Sequence, residues 1–429
     1  MTKEIIDLRA PQERAILVGA PLKRGGAKHL MQEHLEELAR LADTAGAAVV
    51  GELTQQLDRP DSSTYIGSGK IEELKSLISS CEATVVIFDD ELTPAQGKNI
   101  ETALGTRVID RAELILDIFA VRARSAEAKM QVELAQLEYS LPRLTRMWTH
   151  LEKFRGGIGV RGPGETQLET DRRLIGHRIK LLKGRMLEVA KSREVQRKQR
   201  RNQFRAALVG YTNAGKSSVL KGMSNANDIF IEDRLFATLD PLTREVDLGQ
   251  GVGQGVLLTD TVGFIRKLPH HLVASFRATL EETKEADLLL HVIDASHPTW
   301  EEQRFVVDEV LGDLGIHDTP VLHVFNKIDR LSAGEEQALR ERMDNLLPGS
   351  VFVSAVRPGG LEPLRERLLE ERRRSRPVTE LRLSPSDGKR LAELHRGAEV
   401  VGQEMDDETG ELVVRVRASS ELLARLGLG

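Results

Sequence analysis

Short apolar runs alternate with amphipathic stretches over residues 1–124. Each run is long enough for one buried strand, and the stretches between the runs have helical patterns. One such stretch begins with Thr93, a favoured N-cap residue, followed by Pro94 at the first helical position. The predicted strands are AILVGA (15–20), AAVVGEL (47–53), TVVIFD (84–89) and TRVID (106–110). Alternating strands and helices predict an α/β domain with a mostly parallel sheet.

Two later stretches have apolar residues spaced four and three positions apart, as in a heptad pattern. These positions are Met130, Leu134, Leu137, Leu141 and Leu144, followed by Ile175, Ile179, Leu182, Met186 and Val189. Pro142 interrupts the first stretch and predicts a kink there. Residues 153–167 lie between the stretches, and their five glycines and one proline exclude a continuous helix. The pattern predicts a long antiparallel helical hairpin over residues 125–202, with a glycine-rich tip at 153–167.

The remaining chain divides into two further α/β regions. Strand, loop and helix patterns repeat over residues 203–373 and predict a second, mostly parallel sheet. An arginine-rich linker leads to residues 377–429, where the pattern indicates a strand, a helix, a hairpin and a last helix. We therefore predict a small α/β appendage at the C-terminal side of the larger domain.

The composition is that of an ordinary soluble protein. Of the 429 residues, 30% are charged and 40% hydrophobic, and Cys81 is the only cysteine, so no internal disulfide can form. No apolar run approaches the roughly 18 residues of a membrane span, and the N-terminus has no signal-peptide pattern. We expect a cytoplasmic, monomeric protein without stable insertion into a membrane. Partial membrane association stays open.

Positive charge is concentrated around the predicted hairpin. Residues 143–205 hold 18 of the 61 Lys and Arg residues but only 6 of the 66 Asp and Glu residues. The net charge of the whole chain is −5, so the remainder of the chain is strongly acidic. A basic segment on an acidic protein indicates a local anionic partner, most often nucleic acid. The alternative is a solvated helical surface.

A phosphate-binding loop is indicated at the start of the second α/β region. GYTNAGKS (210–217) fits the pattern G-x-x-x-x-G-K-[ST], follows the apolar strand FRAALV and precedes a helix. Glycine backbone can wrap a phosphate, and the helix N-terminus directs its N–H groups toward it. We expect Lys216 to reach the outer phosphates and Ser217 to bind Mg²⁺.

A second motif, DTVGF (260–264), ends an apolar strand further along the chain. Asp260 can hold the water shell of Mg²⁺, and the backbone N–H of Gly263 can contact a γ-phosphate. Phe264 stands where many GTP-hydrolysing switches carry a glutamine that orients the attacking water. An apolar ring cannot take that role. We therefore predict slow hydrolysis by the protein alone and a group supplied by a partner.

A third motif predicts that the base is guanine. NKID (326–329) follows the apolar strand VLHVF, and Asp329 can accept hydrogen bonds from both N1–H and N2–H₂ of guanine. Adenine lacks this pair of donors, so the motif favours GTP over ATP. Ser354 and Ala355 follow SVFV, where a further loop can touch the base.

A loop between the first two motifs should supply a threonine to Mg²⁺ and the γ-phosphate. The stretch FATLDPLTR (236–244) offers Thr238 and Thr243. Spacing alone does not choose between them.

Together, GYTNAGKS, FATLDPLTR, DTVGF and NKID resemble the Obg–HflX superfamily of GTPases. DRPDSSTYIGSGKIEEL (58–74), the heptad hairpin and GGIGVRGPGETQLETDRR (156–173) resemble the HflX family closely, and the resemblance covers residues 10–375. It implies that Thr238 is the Mg²⁺ threonine. It also implies a P-loop GTPase that binds the large ribosomal subunit and splits stalled ribosomes. The tip would then contact rRNA, through Arg155 and Arg161.

The predicted nucleotide site consists of residues from these motifs. Lys216, Thr238 and Gly263 are expected to act in catalysis. Ser217 and Thr238 are expected to bind Mg²⁺ directly, and Asp260 through water. The residues predicted to bind GTP or GDP are Gly210, Tyr211, Thr212, Asn213, Ala214, Gly215, Lys216, Ser217, Ser218, Phe236, Ala237, Thr238, Leu239, Asp240, Asp260, Thr261, Val262, Gly263, Asn326, Lys327, Ile328, Asp329, Ser354 and Ala355.

Motifs, charge and resemblance together predict a Mg²⁺-dependent GTPase that dissociates stalled or idle ribosomes and is stimulated by them. Two alternatives stay open. One is a membrane- or protease-associated regulatory GTPase without an RNA partner. The other is an ATP-dependent RNA-remodelling enzyme.

Overall fold

The computed structural model divides the chain into two compact units. The first unit consists of Met1–Glu188, Arg234–Phe236 and Lys267–Phe276, and the second of Val189–Asp233, Ala237–Arg266 and Arg277–Gly429. The residues that the structure describes are 12–23, 30–144, 163–198, 203–224, 234–248, 255–268, 283–376, 378–407, 409–418 and 420–428.

A four-stranded parallel sheet lies at the centre of the first unit. Its strands are β1 (Arg14–Gly19), β2 (Ala48–Thr54), β3 (Val85–Phe88) and β4 (Arg107–Asp110). They pair in the order β2-β1-β3-β4, and every strand lies within or overlaps an apolar run that predicted it. β3 is buried along its whole length, as expected of a parallel strand covered on both faces. The predicted parallel α/β layer is therefore present.

Four helices accompany this sheet, and the sequence explains where two of them begin. The helices are α1 (Met31–Ala45), α2 (Ser68–Cys81), α3 (Pro94–Leu104) and α4 (Arg111–Arg122). The Thr93 hydroxyl accepts the Gln96 N–H at the start of α3, and Gln96 Oε1 accepts the Thr93 N–H in return. The Asp110 carboxylate accepts the Glu113 N–H in the same way at the start of α4. These caps satisfy N–H groups that the helices leave free.

Two further helices correspond to the predicted hairpin. They are α5 (Ala126–Ser140) and α6 (Pro163–Lys198). Pro142 lies in a short 3₁₀ turn, Leu141–Arg143, directly after α5, and Leu144 is again α-helical. The predicted interruption of the helix is therefore present, because proline has no N–H and its ring crowds the preceding turn. α6 begins at Pro163, so residues 163–167 of the predicted tip are helical, consistent with the preference of proline for the first helical position. The rest of the tip lies outside the described residues.

The apolar stripe of α6 faces inward where its side chains are described. Leu182 is fully buried, while Ile175, Ile179, Met186 and Val189 are partly buried. Glu133 and Glu138 on α5 pair with Arg178 and Lys183 on α6. In the described part of the chain, no helix combines the length and apolar character needed to cross a membrane.

A six-stranded sheet organises the second unit. Its strands are β5 (Phe204–Gly210), β6 (Leu242–Asp247), β7 (Gly255–Asp260), β8 (Leu288–Asp294), β9 (Val321–Asn326) and β10 (Val351–Phe352). They pair in the order β10-β9-β8-β5-β7-β6. β6 pairs antiparallel with β7, and the other described pairings are parallel. The helices are α7 (Lys216–Ser224), α8 (Trp300–Asp313), α9 (Ala333–Leu346) and α10 (Glu362–Ser375).

Aliphatic side chains of β5, β8 and β9 pack with those of α7 and α10 in one buried cluster. Leu208 on β5, Leu290 on β8 and Val324 on β9 are fully buried. Val219 of α7 and Leu364 of α10 belong to the same cluster. This core fixes the strand ends, from which the predicted motifs extend.

The C-terminal appendage is a three-stranded antiparallel sheet with two helices. Its elements are β11 (Thr379–Leu383), α11 (Gly388–Gly397), β12 (Glu399–Met405), β13 (Leu412–Arg417) and α12 (Ser420–Arg425). The strand order is β11-β13-β12. The Arg417 guanidinium donates to the carbonyl oxygens of Arg373 and Arg376 at the end of α10. The element order is the one that the sequence predicts.

Candidate nucleotide site

Four strands of the second unit end at the same edge of the sheet. β5, β8 and β9 are neighbours in parallel orientation, and β7 lies on the other side of β5. Their last residues are Gly210, Asp260, Asp294 and Asn326. The three predicted motifs begin at or directly after three of these residues. Because parallel strands end at a common edge, the topology brings the motifs together.

Two glycines are required by the shape of the loop between β5 and α7. Gly210 has a φ of +150°, and a Cβ there would lie 2.3 Å from the carbonyl oxygen of Val292. Gly215 has a φ of +96°, and a Cβ there would lie 2.3 Å from Asn326 Nδ2. A side chain at either position would displace the loop from the strand ends. The glycines thus allow the close approach that a phosphate-binding loop needs.

Lys216 lies buried under this loop. Its Nζ donates to the carbonyl oxygens of Gly210 at 3.1 Å and Tyr211 at 2.9 Å. Burial lowers the pKa of Lys216 to about 8, while the nearby Asp260 opposes that shift and Lys327 adds to it. The ammonium group is therefore held by neutral carbonyls in a position where a phosphate would favour its charged form.

GTP binding should consequently weaken as the pH rises through the pKa of Lys216. A bound triphosphate favours the protonated amine, so above pH 8 binding must take up a proton. Between pH 7 and 8.8 we expect the Kd for GTP to rise about sevenfold. Equilibrium titration at several pH values measures this change. Calorimetry in buffers of different ionisation enthalpy should show proton uptake at the higher pH. A constant Kd over this range would contradict the predicted coupling.

Three oxygen-bearing side chains converge beside the loop. Ser217 Oγ lies 2.8 Å from Thr238 Oγ1 and donates to Asp260 Oδ2 at 2.6 Å. Asp260 is 1% exposed, and its Oδ1 is buried with no hydrogen-bond partner in the described part of the chain. Burial raises the pKa of Asp260, which Lys216 partly offsets. Two hydroxyls and a carboxylate with an unused buried oxygen fit the oxygen preference of Mg²⁺.

The other candidate threonine lies elsewhere. Thr243 is on β6, and its Oγ1 lies 2.9 Å from Thr259 Oγ1 on the neighbouring strand β7. This pair is a cross-strand contact within the sheet. The structure therefore places Thr238 rather than Thr243 next to Ser217.

The segment after β7 lies against the phosphate loop. The Phe264 N–H donates to Gly210 O at 3.1 Å, and the Thr212 N–H donates to Phe264 O at 2.7 Å. A Cβ on Gly263 would lie 2.8 Å from Thr212 Cα and 3.0 Å from Lys216 Nζ. The Phe264 side chain is 2% exposed. Phe264 therefore fastens this segment through its backbone, while its ring is buried in the protein.

The NKID motif joins the phosphate loop to the loop after β10. Asn326 Nδ2 donates to Ala214 O at 3.0 Å, and Asn326 Oδ1 accepts the Ala355 N–H at 3.2 Å. Asp329 Oδ1 accepts the Ser354 hydroxyl at 2.6 Å. Asp329 thus lies beside the loop that the sequence assigned to base contact, and one of its oxygens is already oriented.

Asp294 is a site residue that the sequence reading missed. Lys327 Nζ contacts Asp294 Oδ2 at 2.7 Å and donates to the Asn213 carbonyl at 2.7 Å. The ion pair with Asp294 thereby orients the side chain of Lys327 toward the phosphate loop. Its signal was a carboxylate at the end of the apolar run LLLHVID, the same signal that singled out Asp260.

Phe236 is the first residue of the predicted nucleotide-binding stretch FATLDPLTR. It belongs to the first unit, where its ring packs on Phe119, as the apolar character of both rings favours. Arg155 and Arg161 lie outside the described residues.

Three family models match the chain. Residues 32–120 match GTP-binding GTPase N-terminal, and residues 122–200 match GTP-binding GTPase Middle Region. Residues 205–327 match a model described as 50S ribosome-binding GTPase. The matches follow one another along both the first unit and the nucleotide site.

Proteins named GTPase HflX are similar to the chain over most of its length. The one from Caldanaerobacter subterraneus subsp. tengcongensis is 44% identical over 98% of this chain and 94% of its own. The one from Lacrimispora saccharolytica is 51% identical over 77% of each chain. The one from Escherichia coli (strain K12) is 43% identical over 90% of this chain and 89% of its own. The similarity therefore reaches beyond the nucleotide motifs.

Proposed function

The chain belongs to the HflX family of GTPases and hydrolyses GTP, and from this premise we propose that it binds the large ribosomal subunit and dissociates stalled or idle ribosomes. The observation that carries the proposal is the match of residues 205–327 to a family model described as 50S ribosome-binding GTPase. The nucleotide would set the affinity for the ribosome, because the two switch motifs, FATLDPLTR (236–244) and DTVGF (260–264), change their contacts when the γ-phosphate leaves.

In the proposed GTP state, the residues of each motif contact a different part of the bound nucleotide and its metal ion. Ser217 and Thr238 bind Mg²⁺ directly and Asp260 binds it through water, as their converging oxygens support. The metal ion, when bound, neutralises charge on the phosphates. Lys216 adds positive charge at the phosphates, and the Gly263 N–H contacts the γ-phosphate. Asp329 selects guanine, with Ser354 and Ala355 beside it.

The helix α6 offers a surface suited to ribosomal RNA. It has 36 residues and is therefore about 54 Å long. Exposed cations follow one another along its described side chains, namely Arg172, Arg173, Arg178, Lys180, Lys183, Arg185 and Lys191. A long, exposed and positively charged helix matches the regular phosphate backbone of RNA. We propose that α6 and the tip, including Arg155 and Arg161, make this contact.

Ribosome binding can be tested by sedimentation. With a non-hydrolysable GTP analogue, the protein should comigrate with the large subunit, and sucrose gradients should show fewer intact ribosomes. Replacing both Arg172 and Arg173 by Gln should weaken comigration, whereas replacing Arg340 and Arg342 of α9 by Gln should leave it unchanged. If the protein stays at the top of the gradient with every nucleotide, the proposal is wrong. Flotation with anionic liposomes would then test the membrane alternative.

Ribosomes should also accelerate GTP hydrolysis. Phe264 carries no group that can orient water, and its side chain is buried. The protein alone therefore lacks a residue for this step at the usual position, and the ribosome is proposed to supply it. We expect the rate of phosphate release to rise at least about tenfold on adding large subunits, since groups supplied in trans contribute more than this in other GTPases. Equal rates with and without subunits would refute this supply.

A further inference from the structure

Two short segments from the later part of the sequence belong to the first unit. They are Arg234–Phe236 and Lys267–Phe276. The first leads directly into Ala237 and Thr238, and the second directly follows the stretch from Asp260 to Arg266. Each segment is thus continuous in the chain with one of the two switch motifs. One end of each switch motif therefore adjoins a segment that belongs to the first unit.

Phe236 is anchored by aromatic packing. Its ring meets the ring of Phe119 on α4 edge-on, with the centroids 4.7 Å apart and the planes at 83°. Both side chains are almost completely buried. An edge-to-face pair of this kind adds to the stabilisation that burial of the rings already provides. The anchor lies two residues before Thr238.

Lys267 is anchored by charge. Its Nζ lies 2.7 Å from Asp89 Oδ2 and also contacts Asp90 Oδ1. Both carboxylates directly follow β3. The anchor lies four residues after Gly263, and the intervening chain is fastened to the phosphate loop through Phe264.

The carboxylates that receive Lys267 are held in place by the fold of the first unit. Asp89 is buried and also accepts a hydrogen bond from Arg111 Nη1 at 2.8 Å. Arg111 is itself buried and pairs with Glu37 of α1. Burial and the charge of Asp90 raise the pKa of Tyr65, which comes from the stretch DRPDSSTYIGSGKIEEL. Contacts within the first unit therefore position the two carboxylates that pair with Lys267.

Both anchors have an unusual backbone conformation. Phe236 has a φ of +54° and Lys267 a φ of +53°. Residues other than glycine rarely adopt this left-handed region, and bulky ones do so only where their surroundings impose it. The packing of Phe236 and the ion pairs of Lys267 are the contacts that can impose it here. Without these contacts, the backbone at Phe236 and at Lys267 would leave the left-handed region. The orientation of the nearby Thr238 or Gly263 would then change.

We propose that Lys267 is a positioning residue for GTP hydrolysis, and that it acts together with Phe236 as one of two anchors that pre-order the switch motifs. This inference rests on the roles proposed above for Thr238 and Gly263. A motif with one end fixed has fewer conformations to lose when it closes around a γ-phosphate. GDP has no γ-phosphate, so its binding draws little on the anchors.

The test compares GTP and GDP in variants of Lys267. In Lys267→Met, the affinity for a non-hydrolysable GTP analogue and the hydrolysis rate should fall about fivefold to tenfold, a common size for such couplings. The Kd for GDP should stay within about twofold of the original value. Lys267→Arg keeps the charge and should restore most of the loss. Lys267→Gly removes the charge but tolerates the left-handed backbone, so it should behave like Lys267→Met.

A matched control is Lys75→Met. Lys75 of α2 pairs with Glu72 at 2.8 Å and is 40% exposed, against 36% for Lys267. This variant should behave like the original protein. Equal weakening of GDP and the GTP analogue by Lys267→Met would overturn the inference, as would behaviour like that of the control. A Thr238→Ala variant distinguishes failure of the proposed nucleotide site from failure of the anchoring inference. If this variant binds the GTP analogue as tightly as the original protein, the proposed role of Thr238 is wrong.

Discussion

Replacing Asp329 by Asn should weaken GTP binding about a hundredfold and raise the affinity for xanthosine triphosphate. Asp329 Oδ1 accepts the Ser354 hydroxyl at 2.6 Å, which orients the carboxylate. In the variant, the Asn carbonyl would keep this hydrogen bond and its NH₂ group would face the base. Guanine presents N–H donors at that edge, so two donors would meet. Xanthine carries an oxygen at C2 and can accept from the new NH₂.

Competition binding with GTP, xanthosine triphosphate and ATP measures this change of preference. Ser354→Ala is the matched control, because it removes the orienting hydroxyl and leaves the carboxylate in place. It should weaken GTP by about tenfold at most and should not favour xanthosine triphosphate. Unchanged GTP affinity in Asp329→Asn would show that the base is recognised elsewhere.

Replacing Gly263 by Ala should lower the rate of GTP hydrolysis by at least about a hundredfold. The added Cβ would lie 2.8 Å from Thr212 Cα and 3.0 Å from Lys216 Nζ. Lys216 is flexible at its end, but the Thr212 backbone is part of the phosphate loop and cannot give way easily. The segment must therefore move off the loop. Its N–H would then be withdrawn from the proposed γ-phosphate contact.

Single-turnover hydrolysis and GDP binding together test this prediction. GDP affinity should fall much less than the hydrolysis rate, because GDP makes no contact through Gly263 in the proposed mechanism. Gly334→Ala in α9 is a suitable control, since nothing lies within 4 Å of a Cβ there. A hydrolysis rate in Gly263→Ala close to that of the control would contradict the prediction, because the segment would then accommodate the Cβ without losing the Gly263 N–H contact.

The sequence predicted the parts of the molecule whose signals are local. Thr93 is the N-cap of α3 and Pro94 begins the helix, as the residue types predict. β5, β7 and β9 end at the last residue of their apolar runs or one residue later. GYTNAGKS and NKID lie at one sheet edge because parallel topology brings them there. These features depend on neighbouring residues or on one simple rule of sheet geometry, so a single sequence is sufficient for them.

Other features depend on contacts between distant residues. Nothing near Phe264 in the sequence indicates that its backbone bonds to Gly210 and Thr212. The position of Asp294 at a strand end is a local signal, but its ion pair with Lys327 on the adjacent strand end is visible only in the structure. The ends of the switch motifs were similarly hidden, because the partners of Phe236 and Lys267 lie more than a hundred residues earlier. Helix and strand patterns carry no information about such pairings.

The side chain of Asn326 has a consequence for how the whole nucleotide is held. It joins Ala214 of the phosphate loop to Ala355 of the loop that we propose to lie beside the base, so the two ends of the nucleotide would meet residues that are linked to each other. Guanosine and free triphosphate should each bind feebly, because each alone must lose its own freedom of movement. When guanosine and the triphosphate are linked covalently, binding of one holds the other at a high effective concentration near its own subsite. The whole nucleotide should therefore bind far more tightly than either part. Asn326→Ala would loosen this arrangement while leaving both subsites chemically intact.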